Sequence, residues 1–128
     1  MQYWLIAAGA VAVLTGLVHS IMGEILIFRR LRSGGIIPKI APPPLRERHV
    51  RILWATWHLA SILEFALAAV LFCIGANSDS GSSHQTVALA AISISNFLAA
   101  LLVLFATNGR HPGWVALLIV AIFTAIAL

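Results

Sequence analysis

Apolar runs broken by short polar segments divide the chain into four candidate helices. The first run extends from about residue 4 to 28, the second from 52 to 74 and the third from 86 to 107. Each is long enough to cross a hydrocarbon core, which takes about 20 residues at 1.5 Å per residue. The fourth runs from about residue 112 to 128 and is the shortest. With Trp114 as its first apolar residue it holds roughly 15 residues, so it must start near Pro112, thin the bilayer, or end just inside the far interface.

The breaks between runs carry turn chemistry. RRLRSGG follows the first run, and its Gly34–Gly35 pair is expected to end that helix. IIPKIAPPP then reads as an extended connector, because Pro38 and Pro42–Pro44 cannot continue a helix interior. Pro44 suits the first position of the next helix, with LRERHVR as its polar stem. GANSDSGSSHQ is a polar loop and NGRHPG a tight connection. The expected fold class is therefore all-α: an integral membrane four-helix transmembrane bundle in one domain covering residues 1–128.

Composition agrees with that pattern. The 128 residues are 61% hydrophobic and 9% charged, against about 25% charged in a soluble domain. Seven of the eight basic residues lie between Arg29 and Arg51, and the eighth is Arg110. Both segments fall on one side of a four-span chain, so 29–51 is expected to be a cytoplasmic loop with both termini outside the cytoplasm. The expected location is a bacterial inner membrane, crossed several times, with anionic lipid headgroups at the basic loop. Tyr3, Trp4, Trp54 and Trp114 fit an aromatic belt. No RNA-stacking motif or basic tail supports nucleic-acid binding. Cys73 stands alone, so no internal disulfide forms. The first run lacks a basic n-region and is read as a retained span rather than a signal peptide.

Ionisable residues inside the apolar runs mark a site, because a charge in hydrocarbon costs at least a few kcal/mol without a partner. His19 and Glu24 occupy the first run, and His58 and Glu64 the second. At 1.5 Å per residue His58 lies about 10 Å and His19 about 13 Å from the cytoplasmic boundary, so the imidazoles share a layer. Thr15, Glu64, Asn96 and Thr124 fall deeper, at roughly 18–20 Å, one from each span. Ser61 shares a helix face with His58 and Glu64, and Ser93, Asn96 and Ala100 share another. Glu64 could bond Asn96, and His19 could bond Ser61 or His58. Glu24, nearer the cytoplasm, can meet the arginines or His111.

Gly9, Gly16 and Gly23 recur at heptad spacing, which lets another backbone come close. Gly16 and Gly23 also flank His19, leaving clearance for a flat macrocycle or an ion. Two chemistries follow. His19 and His58, with Gly16 and Gly23 beside them, could bind haem b, its propionates held by Arg29, Arg30, Arg51 or Arg110. Alternatively His19, His58 and Glu64 could ligate a transition metal. A proton- or ion-coupled small transporter using Glu64, and a structural or accessory subunit of a larger membrane complex, are the other expectations, as is a homo-oligomer. His49, His84 and His111 are expected in the stem and loops. No HExxH, CxxC, GxSxG, Glu-x-x-His repeat or phosphate loop is present, so no catalytic residue is assigned.

The stretches LVHSIMGEILIFRRLR and RHVRILWATWHLAS resemble a pattern of small four-span proteobacterial inner-membrane proteins of no established activity. The resemblance covers about half of the chain and implies location, not chemistry. Four short helices and a membrane glutamate are also found in small multidrug-resistance transporters. Here the polar pairs occupy the first two runs and a long basic loop separates them, which departs from that pattern.

Overall fold

The computed structural model describes residues 2–77 and 82–128. Helix α1 spans Gln2–Leu26, α2 Glu47–Ala76, α3 Ser83–Ala106 and α4 Gly113–Ile126, with a 3-10 turn at Phe28–Leu31. The described residues form no strand. The chain is thus all-helical, and α1, α2 and α3 are long and apolar enough to cross a membrane. The 14 residues of α4 are fewer, giving about 21 Å at the usual rise. Large apolar side chains stand uncovered on the long helices, among them Leu14 at 61%, Ile62 at 60% and Phe105 at 74% exposure.

Helix ends differ from the sequence expectation in three places. α1 stops at Leu26, well before Gly34–Gly35, and the chain tightens into the 3-10 turn. Gly34 instead serves a bend, with φ at +89°, a region glycine enters without a Cβ penalty. Pro44 lies in a turn closed by Leu45 N–H on Pro42 O at 2.9 Å, and α2 begins only at Glu47. At α3 the helix starts inside the expected loop. Ser82 caps it by accepting from Gln85 N–H at 3.3 Å, so His84 belongs to the first helical turn rather than to a loop. Residues 78–81 of the polar segment lie outside the described residues.

The chain divides into two compact units, Met1–Thr15 with Glu64–Leu128, and Gly16–Leu63. In the first, Leu5, Ala8 and Ala12 of α1, Ala68 and Leu71 of α2, Leu89 and Ile92 of α3, and Val120 of α4 form one buried cluster. Small residues set the close approach: a Cβ on Gly9 would stand 2.6 Å from Cε1 of Phe72. Ser93 Oγ donates across to Ala121 O on α4 at 2.9 Å.

The turn from α3 to α4 is a Schellman motif. Gly109 N–H donates to Leu104 O at 2.8 Å and Asn108 N–H to Phe105 O at 3.3 Å. Asn108 occupies the left-handed region at φ 50°. Asn108→Ala is expected to cost about 1 kcal/mol, since alanine is penalised there, whereas Asn108→Gly is expected to be neutral or stabilising. Denaturant unfolding of both variants in detergent checks the order, and equal stabilities would remove the left-handed residue as the cause.

Candidate functional site

The second unit, Gly16–Leu63, gathers polar side chains from the end of α1, the start of α2 and the loop between them. Ser20 and Glu24 are four residues apart on α1, and Trp54, His58 and Ser61 follow at four and three residues on α2. Each set shares one helix face. Between these faces runs a chain of polar contacts. Ser20 Oγ is 2.9 Å from His58 Nδ1 and donates to Ser61 Oγ at 2.9 Å. His58 Nε2 lies 3.6 Å from Glu24 Oε2. Glu24 Oε2 also accepts from Trp54 Nε1–H at 3.3 Å, while its Oε1 pairs with Arg32 Nη2. The expected meeting of Glu24 with an arginine is therefore made by Arg32.

Burial makes these contacts consequential. Ser61 is 2% exposed, and the His58 and Glu24 side chains 26% and 27%. Trp54 stands edge-on to His58 with centroids 5.1 Å apart, and buried Phe28 lies 6.1 Å from the same ring. His58 Nε2 is buried and has no hydrogen-bond partner among the described residues. A hydroxyl has one proton to give. With that of Ser20 donated to Ser61, the Ser20 oxygen accepts from Nδ1–H of His58. Nε2 is then the nitrogen without a proton in the neutral ring, and it lies 3.6 Å from the Glu24 carboxylate.

His19 has a different neighbour. Its ring stacks on Trp57 with centroids 4.3 Å apart and planes 7° from parallel. Trp57 Nε1–H donates to the His19 carbonyl at 2.9 Å. The indole crosses α1 at Gly23, where a Cβ would stand 2.0 Å from Nε1. Trp57 thus occupies the space beside Gly23 that the sequence reading left to a macrocycle or an ion. Gly16 is buried.

Three residues of the deeper layer bond within their own helices. Thr15 Oγ1 donates to Val11 O at 2.8 Å, Thr124 Oγ1 to Val120 O at 2.8 Å and Asn96 Nδ2 to Ile92 O at 3.0 Å. Each returns its proton to its own helix, four residues back, so the Asn96 amide serves Ile92 O rather than Glu64. Glu64 is half-buried and forms none of the ion pairs found among the described residues. No three His, Cys, Asp or Glu side chains among the described residues group as a metal-binding set.

The other histidines have local tasks. His49 Nδ1 accepts from Arg46 N–H at 3.2 Å in the first turn of α2. His111 Nδ1 accepts from Gly113 N–H at 3.0 Å and so satisfies a donor at the start of α4. Ser20, Arg32 and Trp54 complete the site; the sequence reading assigns none of them to it and takes Trp54 only as part of an aromatic belt. No protein-family model matches the chain, and neither a curated protein nor a solved structure shows significant similarity to it.

Proposed function

We propose that the chain is a small bacterial inner-membrane protein that moves protons through the Glu24–His58–Ser20–Ser61 chain. In this reading all four helices span, the basic loop and Arg110 face the cytoplasm, and both termini lie on the opposite side. The observation that carries it is the placement of His58, with Nδ1 hydrogen-bonded to a serine pair and Nε2 buried 3.6 Å from a carboxylate. A proton taken up at Nε2 makes an imidazolium balanced by Glu24. Loss of the Nδ1 proton to Ser20, as Ser20 passes its own to Ser61 and Ser61 gives its own up to water, restores neutral imidazole with one proton moved along the chain. The groups facing His58 within this unit are Glu24 on α1 and, through it, Arg32 of the loop.

The rival is a haem or transition-metal site at His19 and His58. The unpartnered Nε2 favours it, because a ligand nitrogen needs a free lone pair. Against it, no three His, Cys, Asp or Glu side chains group as a metal-binding set among the described residues. Purified protein in liposomes carrying an internal pH dye separates the two. Proton flux above that of empty liposomes is expected, falling to the empty-liposome rate in His58→Ala and Glu24→Gln and reduced in Ser20→Ala. Glu64→Gln reports whether the deeper carboxylate takes part. Wild-type flux in His58→Ala would sink the proposal. A Soret band, or stoichiometric metal lost in His58→Ala, would favour the rival.

A further inference from the structure

We propose that the outer face of the 29–51 loop is a docking surface for acidic phospholipid headgroups. The inference rests on the membrane reading above. Charge accounting is its first support. Glu24 is taken by Arg32 and Glu47 by Arg51, the latter pair at 3.6 Å. Arg29, Arg30, Lys39 and Arg46 are exposed and have no ion-pair partner among the described residues. Arg48 is exposed as well and gives its Nε–H to His49 at 3.3 Å. Among the described residues these cations have no acid to neutralise them.

The loop also holds its shape. Lys39 N–H and Ile40 N–H both donate to Leu31 O at 2.9 Å, closing 32–38 into a compact excursion. Phe28 and Val50 are buried at 3% and 1% exposure, and the Pro38 side chain is fully buried. The cations therefore project from a folded segment, which lowers the ordering cost of binding.

Apolar side chains choose the partner. Ile36, Ile40 and Leu45 are 74%, 47% and 40% exposed within the same segment as the cations. Polynucleotide or an acidic protein surface would satisfy the charges and leave the isoleucines wet. A bilayer surface satisfies both, with phosphates for the cations and the acyl boundary for the isoleucines.

Lipid retention tests this. Protein is reconstituted in vesicles of equimolar phosphatidylglycerol and phosphatidylcholine, extracted mildly, and its retained lipids are quantified by mass spectrometry. Protein that fails to incorporate refutes the membrane reading itself, before any lipid is counted. With incorporated protein, phosphatidylglycerol is expected to be enriched about fivefold or more, the effect of one cation reaching an acidic surface, and the enrichment should shrink as salt screens it. The variant Arg29→Gln/Arg30→Gln/Lys39→Gln/Arg46→Gln should retain the two lipids equally. Arg29→Lys/Arg30→Lys/Arg46→Lys should keep the preference, which controls for folding. Equal retention by the unmodified protein, or undiminished preference in the glutamine variant, overturns the proposal.

Discussion

Gly23→Ala is expected to destabilise the protein by about 1–3 kcal/mol, although alanine is the better helix former. Helix propensity alone would favour the change by up to about 1 kcal/mol. The new Cβ would stand 2.0 Å from Nε1 and 2.5 Å from Cε2 of Trp57, so the indole must move by about an ångström to reach ordinary contact. It is poorly free to do so. Its N–H is bonded to His19 O at 2.9 Å, its face stacks on the His19 ring, and Phe28 packs against its edge at 5.8 Å. Overpacking of this kind costs about 1–3 kcal/mol, and loss of the indole hydrogen bond about 1 kcal/mol more. Together these exceed the propensity gain. Unfolding in mixed detergent micelles, followed by tryptophan emission, measures the difference. The double variant Gly23→Ala/Trp57→Leu should lose less than the two single changes added together, because the smaller side chain no longer meets the Cβ. A Gly23→Ala protein as stable as the parent would show that Trp57 is free to leave α1.

That glycine also shows where sequence reading succeeded and failed. Apolar run length located all four helices to within a few residues, because the period and composition of a helix are local properties. The heptad glycines read as letting another backbone come close. What comes close at Gly9 is Phe72 and at Gly23 Trp57, both aromatic rings from a distant part of the chain. Depth counting brought His19 and His58 to one level, yet depth says nothing of azimuth. On a helix His19 and Glu24 are five apart and diverge, whereas Ser20 and Glu24 are four apart and share a face. The i, i+4 rule applied to α1 would have picked Ser20 as the partner of His58. The pairing of Arg32 with Glu24 had no such signal, since it depends on α1 ending at Leu26 and the loop folding back.

Removing the carboxylate that this fold-back encloses should have the largest effect of any single polar change. Glu24→Ala is expected to cost about 2–3 kcal/mol. Breaking a buried pair costs about 3–5 kcal/mol, because the surviving charge is left without compensation, and the remaining 27% exposure of Glu24 places this case below that range. Two groups lose a partner at once: the Arg32 guanidinium and the Trp54 N–H. Arg32→Ala should cost less, since Trp54 continues to donate to the carboxylate. The double variant Glu24→Ala/Arg32→Ala should be less destabilised than the sum of the singles by about 1–2 kcal/mol, the size expected for charges in direct contact. Glu24→Gln separates shape from charge. It keeps an acceptor for Trp54 but loses the attraction to Arg32, so its stability should fall between those of the parent and Glu24→Ala. Salt sharpens the reading, because screening weakens exposed pairs strongly and half-buried ones little. The Glu24–Arg32 coupling should therefore persist at high ionic strength, while any coupling of the exposed Glu47–Arg51 pair fades. If Glu24 and Arg32 prove additive within about 0.5 kcal/mol, their contact does not hold the loop, and the carboxylate facing His58 is positioned by α1 and Trp54 alone.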